Sequence, residues 1–282
     1  MAGIKDRHGR AVSVALVAAG GGRRELSAAH IAAALKLRRA LGHKPALCAK
    51  GLQKLLGLVP ARLELRLWNR KQLVFNVPPD AAAFLFDVDS IILRDQYCAG
   101  AVRGRTVIDA GANLGVFSLY ALALGARKVL SFEPVPQTFA MFKANLALNR
   151  AAARVKAANI ALGRAKGRAT LFYNTRGEGS ATIAPGGVNA GIAYAERRLA
   201  PVAPLDALVC GRAGFIKLDV EGAERDVLLG AAGLIKKYKP ALSFAAYHRP
   251  GDRRDLPRAL AGIRGDYRVT FNSFAENDFY CD

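Results

Sequence analysis

The chain has 282 residues, with 42 Lys and Arg against 22 Asp and Glu, and a formal net charge of +20. At 52% hydrophobic and 23% charged, it is too apolar for a disordered polycation, which lacks surface to bury against its ordering entropy. Its four cysteines, Cys48, Cys98, Cys210 and Cys281, form no C-x-x-C pair, which argues against a disulfide scaffold and a cysteine-type zinc site.

The charge is uneven: residues 1–71 hold 15 Lys and Arg and only three acids, Asp6, Glu25 and Glu64. Ala11–Gly22 is apolar behind Lys5, Arg7 and Arg10, the outline of a signal peptide. It is rich in Ala and Gly, meets Arg23-Arg24 at once, and is shorter than the roughly 20 residues that span a bilayer. It reads as a short strand or helix in a soluble, cytoplasmic protein. Ser27–Leu41 reads as a helix capped by Ser27 and stopped by Gly42. Its polar side carries Lys36, Arg38 and Arg39, a solvated face first and a contact for phosphates or anionic lipid second. In Arg62–Trp68, Leu63, Leu65 and Leu67 alternate with Arg62, Glu64 and Arg66, the period of a half-buried strand. Leu73–Val77 is its return strand, ended by Pro78-Pro79. A helix is expected near Ser90–Tyr97. Residues 1–96 thus read as a basic accessory region of helices and a hairpin, and residues 97–282 as the main domain.

From Thr106 strands alternate with helices. Thr106–Asp109, Lys128–Phe132, Arg154–Ile160, Phe215–Leu218 and Ala241–Ala246 read as strands. Leu114–Leu124, Pro136–Asn149, a segment near Ala223–Lys237, and Pro257–Ile263 read as helices, with closing strands near Tyr267–Phe271 and Asp278–Cys281. This α/β alternation implies a mainly parallel sheet covered by helices on both faces.

The sharpest constellation, Asp109-Ala110-Gly111-Ala112-Asn113-Leu114-Gly115, lies where the first strand turns into the first helix. Parallel sheets bind ligands at that edge, and Gly111 and Gly115 let backbone approach one. Glu133 ends the next strand, where an acid can accept bonds from ribose hydroxyls. A dinucleotide favours G-x-G-x-x-G; here Asn113 stands at the second glycine, and no P-loop lysine follows. The acids Asp109 and Asp219 suit the positive S-adenosylmethionine better than a pyrophosphate.

Val107–Gly115 together with Ser131-Phe132-Glu133-Pro134 resembles class I S-adenosylmethionine methyltransferases. Phe215-Ile216-Lys217-Leu218-Asp219-Val220-Glu221-Gly222-Ala223-Glu224 resembles the I-K-x-D-V-E-G-x-E hallmark of the FkbM-type methyltransferase family. Val202–Leu208, and Lys239-Pro240 through Tyr247-His248-Arg249-Pro250 with Asp252, resemble its flanking segments. The resemblance runs from about Tyr97 to the C-terminus. It implies a Rossmann-like class I methyltransferase fold with a seven-stranded sheet, and methyl transfer from S-adenosylmethionine to a hydroxyl of a glycan or small-molecule acceptor. It also implies that Gly111, Asn113 and Gly115 line the methionine part, Glu133 holds the ribose, and Pro134, Asn159 and Ile160 flank the adenine. Asp219 would face the methionine end or the reaction centre.

By placement, Asp219 is a site residue rather than a helix cap, Glu221 reads either way, and Glu224 favours the helix dipole. His248 follows the fifth strand and is the general-base candidate by residue type. Tyr247 reads as packing, and Gln96 and Tyr97 as packing or closure over the cofactor. Gly177–Thr182 reads as a lid or substrate loop. Spacing alone shows no metal site. An RNA methyltransferase that uses the basic N-terminal region to bind nucleic acid is the alternative.

Overall fold

The computed structural model describes residues 4–41, 45–174, 181–186 and 194–282. The N-terminal part is an antiparallel sheet with two helices. It comprises β1 (Ile4–Lys5), β2 (Ala11–Ala18), β3 (Arg23–Leu26), α1 (Ala28–Leu41), α2 (Pro45–Leu56), β4 (Pro60–Arg66) and β5 (Gln72–Asn76). The apolar stretch behind the first arginines is therefore a strand: β2 pairs with β4 on one edge and with β1 and β3 on the other. Leu63, Leu65 and Phe75 are fully buried while Arg62 and Arg66 point away, as the alternation requires. The Ser27 hydroxyl accepts from the His30 amide at 3.3 Å and so caps α1.

One expectation for this region is corrected. The helix placed near Ser90–Tyr97 is α3 (Ala81–Val88), continued by a single π turn over Asp89–Leu93. Its start is set by the Asp80 carboxylate, which accepts from the Ala83 amide at 3.0 Å.

The remainder comprises β6 (Thr106–Ala110), α4 (Val116–Ala123), β7 (Lys128–Phe132), α5 (Pro136–Leu148), β8 (Val155–Ala158), β9 (Ala161–Leu162), β10 (Gly167–Tyr173), β11 (Glu196–Ala203), α6 (Leu205–Leu208), β12 (Phe215–Leu218), α7 (Glu224–Gly230), α8 (Ala232–Tyr238), β13 (Ala241–Ala245), α9 (Asp252–Ile263), β14 (Val269–Asn272) and β15 (Asp278–Cys281). Seven strands form one sheet in the order β14-β15-β13-β12-β6-β7-β8. Neighbours from β13 to β8 are parallel, and β15 runs antiparallel between β13 and β14. This is the Rossmann-like class I arrangement, with the chain order reversing beside β6, where open α/β sheets bind ligands. A small sheet of β10, β11 and β9 flanks it.

Three other boundaries shift. The strand read as Arg154–Ile160 leaves the sheet after Ala158, because the Asn159 amide turns back to donate to the carbonyls of Glu133 and Pro134 at 2.8 and 2.9 Å. The single helix read over Ala223–Lys237 is two. The Asp206 carboxylate takes the amides of Gly233 and Leu234 at 2.7 and 2.8 Å and starts a second helix there. Helix α9 begins at Asp252, not Pro257, and its first turn carries Asp252 and Asp255, which favour the positive end of the helix.

One face of the large sheet packs Ile108, Leu218, Leu242, Val227, Leu256 and Leu260. The other face shares a continuous core with the N-terminal part: Phe117, Tyr120 and Phe142 lie in one cluster with Leu63, Phe75 and Phe84. No helix among the described residues is long and apolar enough to cross a membrane.

Candidate functional site

A cavity of about 470 Å³ opens at the carboxyl ends of β6, β7 and β12. Its floor is set by a buried ion pair. Asp109, fully buried, accepts from the Ser118 hydroxyl at 2.6 Å, and its other oxygen lies 3.2 Å from Lys217 Nζ. Lys217 donates onward to the carbonyl of Gly111 at 2.5 Å. Burial pulls the Lys217 pKa down, but the charges of Asp109 and Asp219 outweigh it and the ammonium stays charged. The lysine from the Ile216-Lys217-Leu218-Asp219 run thus pins the glycine loop to β12.

Gly111 has a φ of 78°, and a Cβ there would stand 1.8 Å from the Asp219 carbonyl oxygen. Only glycine lets the two strand ends approach so closely. At Gly115 (φ 85°) a Cβ would enter the Phe142 ring, so this residue serves helix packing.

Glu133 lines the cavity with both oxygens bonded to backbone, accepting from Asn113 N–H and Val135 N–H at 2.9 Å each. Burial pushes its carboxyl up to about 7, against the pull of those two amides. Asn113 adopts a φ of 48° and donates from its side chain to Asp87 at 3.2 Å. The cavity walls include Gly111, Asn113, Glu133, Pro134, Ile160, Asp219, Glu221 and His248. Asp109, Gly115 and Asn159 are not among them: the first holds Lys217, the second makes room for Phe142, and the third fixes the Glu133–Pro134 carbonyls.

At the far end, Tyr97 O–H donates to Asp219 Oδ2 at 2.6 Å. His248 is 1% exposed, and its Nδ1 lies 2.9 Å from Glu224 Oε1. Its Nε2 stands 3.6 Å from Asp219 Oδ1 and 3.4 Å from Glu221 Oε2. Glu224 is fixed by the amides of Val220 and Gly222 at 2.9 and 3.1 Å. Glu221 holds a φ of 56°, a strained conformation for a residue with a Cβ. Its carbonyl is held by the Thr182 hydroxyl at 2.6 Å.

His248, the base candidate by residue type, is surrounded by carboxylates. Burial lowers the His248 pKa, but the bond to Glu224 and the charges of Glu224, Asp219 and Glu221 together raise it to about 10. Asp219 and Glu221 place their carboxylates beside the His248 ring at this end of the cavity. Asp219, Glu224 and His248 also offer three metal-ligand atoms within 4.8 Å of one another, a convergence invisible in their spacing.

The remaining walls were not singled out from sequence as site residues. Arg38 of α1, with Phe86, Asp87 and Ile91 of the α3 segment, lines the cavity, as do Tyr247 and Glu276. Arg38 stacks 4.5 Å over the Phe86 ring. The N-terminal part therefore builds one wall of the site. Of the segment read as a lid, residues 177–180 lie outside the described residues; Ala181 lines the cavity.

A family model described as Methyltransferase FkbM domain matches residues 109–274. Among curated proteins, Methyltransferase sdnD of Sordaria araneosa is 31% identical over 153 residues, which covers 44% of this chain and 59% of that protein. Methyltransferase 1 of Beauveria bassiana is 29% identical over 153 residues, covering 44% and 57%. The match thus spans less than two thirds of the length of these relatives. Among solved structures, a methyltransferase FkbM from Methylobacillus flagellatus KT aligns over 90% of this chain and 59% of its own, with a TM-score of 0.50 and 18% identity, a likeness of fold.

Proposed function

This chain belongs to the FkbM methyltransferase family, and we propose that it transfers a methyl group from S-adenosylmethionine to a hydroxyl oxygen of a glycan or small-molecule acceptor. The observation that carries the reading is Glu133, a buried carboxylate presented to the cavity by two backbone amides. Each of its oxygens keeps a lone pair for a ribose hydroxyl. The residues present fit the cofactor. The cavity lies within the roughly 300–1,000 Å³ of small-ligand sites, and its carboxylates Asp87, Glu133, Asp219, Glu221 and Glu276 would repel a pyrophosphate but suit a sulfonium and an ammonium.

When bound, S-adenosylmethionine supplies a methyl group on positively charged sulfur. Gly111 brings backbone to its methionine part, Glu133 holds the ribose, and Pro134, Ile160 and the apolar Phe132 and Leu162 shelter the adenine. Lys217 keeps the loop in place. Asp219, oriented by Tyr97, faces the acceptor and takes up its hydroxyl proton. The rest of the work is alignment: an acceptor oxygen held in line at near-attack distance recovers much of the barrier otherwise spent on encounter. Arg38, Asp87 and Glu276 supply hydrogen-bonding groups for a polyhydroxylated acceptor, with Phe86 and Tyr247 as flat apolar surfaces.

Calorimetry with S-adenosylmethionine tests the cofactor: the wild type binds it, and Glu133→Ala loses the heat. A labelled-methyl screen against glycans, hydroxylated small molecules and RNA tests the acceptor. Label in RNA alone, with a steep salt dependence, would replace this acceptor class by the nucleic-acid one.

A further inference from the structure

We propose that Asp219, Glu221 and His248 form a divalent-cation site at the acceptor end of the cavity, suited to Mn²⁺ or Mg²⁺. Three observations lead there. First, the His248 side chain is 1% exposed and lines the cavity, yet its Nε2 has no hydrogen-bond partner among the described residues, and neither does the buried Asp219 Oδ1. Buried polar atoms are ordinarily satisfied, so two orphans facing each other point to a ligand between them. Second, Nε2 has two carboxylate oxygens close by, and Asp219, Glu224 and His248 offer ligand atoms within 4.8 Å of one another. Nε2 lies 3.6 Å from Asp219 Oδ1 and 3.4 Å from Glu221 Oε2. Those gaps are too long for hydrogen bonds, but adjacent ligands about 2.1 Å from one ion stand roughly 3 Å or more apart. Third, the outer sphere is already built. Glu224 Oε1 meets His248 Nδ1 at 2.9 Å, while the amides of Val220 and Gly222 hold the carboxylate still. A carboxylate on one ring nitrogen fixes the tautomer and aims the other at the metal. Glu224, although near enough to count as a ligand, is thereby spent on orientation.

One imidazole and two carboxylates, with open positions toward the cavity, suit an ion that tolerates oxygen and water ligands. The cation takes the place of the Nε2 proton. Its open face holds the acceptor hydroxyl and acidifies it, as bound cations do for water. With the ion in place Asp219 serves as its ligand rather than as the base: the hydroxyl releases its proton to solvent, the oxygen forms the bond to the methyl carbon, and the carbon–sulfur pair returns to sulfur. This part rests on the proposed methyl transfer; the ion site itself does not.

The test titrates chelator-treated full-length protein with Mn²⁺ and follows loss of the free-ion signal by electron paramagnetic resonance. One ion per chain is expected. Asp219→Asn and His248→Gln should each weaken it by at least about tenfold, and the outer-sphere Glu224→Gln by about 10–100-fold. Thermal melts check that the variants fold, and the more exposed Glu221→Gln serves if the buried ones do not. Glu133→Ala, on the cofactor side, should bind Mn²⁺ like the wild type while losing S-adenosylmethionine. Absence of Mn²⁺ binding by the wild type, or equal binding by all folded variants, overturns the site. Intact Mn²⁺ binding without S-adenosylmethionine binding overturns the methyl-transfer reading instead.

Discussion

Lys217→Met removes the ammonium on which the floor of the site depends. The side chain is 3% exposed and its partner Asp109 is fully buried. Methionine fills similar space but leaves Asp109 with Ser118 alone, and leaves the Gly111 carbonyl without its 2.5 Å donor. Breaking a buried pair by removing one partner costs about 3–5 kcal/mol. For a chain of this size, each kcal/mol moves the melting temperature by about 2–4 °C, so a fall of roughly 6–20 °C is expected. Burial already raises the Asp109 pKa against the pull of Lys217; without the lysine it rises further. The penalty should therefore shrink toward acid pH, as protonation discharges the stranded carboxylate. Adding Asp109→Asn should restore about half of the loss by removing that charge, while the cofactor loop stays loose and S-adenosylmethionine affinity stays reduced. Urea denaturation of the four proteins of this cycle at pH 5 and pH 8 measures the coupling. A loss under about 1 kcal/mol for Lys217→Met, or a further loss on adding Asp109→Asn, refutes the assignment of the pair as the element that ties the loop to β12.

Gly111→Ala places a Cβ against the Asp219 backbone oxygen at a φ of 78°; calorimetry should show cofactor binding abolished, whereas Gly100→Ala, with open space around it, should bind normally. Asn145→Ala strips the fully buried amide that links Asn76 N–H and the Leu114 carbonyl, each at 2.9 Å. A cost of about 2–4 kcal/mol by urea denaturation is expected from the orphaned groups. Glu133 sits near 7 against an ordinary 4.5, so its folded form holds a proton longer than the unfolded chain. Its stabilising contribution is complete below about pH 4.5 and is lost as pH rises through 7, by about 3 kcal/mol from the shift. Asp278, pushed by burial to about 8, acts in the same direction, so the cofactor-free urea midpoint should fall between pH 5 and 8. Cofactor affinity should move the other way, rising with pH through 7 as Glu133 ionises, and Glu133→Gln should be flat across that range.

Much of the fold was legible because it is written locally. Strand β12, the β6 and β7 strands, and the hairpin arginines facing away from Leu63 and Leu65 follow from alternation and apolar runs, which act over a few residues. The glycine loop, the Glu133 position and the Asp219 segment were readable for the same reason: each is a short run at a strand's end. Element ends were less legible where a bond between parts of the chain far apart in sequence decides them, as Asp206 does for α8 and Asn159 for the end of β8. The site's electrostatics were not legible at all. An isolated imidazole titrates near neutrality; the approach of Glu224, Asp219 and Glu221 raises the His248 pKa against its burial. The +12 excess of residues 1–71 looked separate from the chemistry, yet folding places Arg38 in the cavity wall. The sequence by itself determined which strands and loops form and where carboxylates meet the sheet edge, because these depend on neighbours along the chain. Only the tertiary structure decided which charges share a cavity and in which protonation state, because burial and pairing depend on neighbours in space.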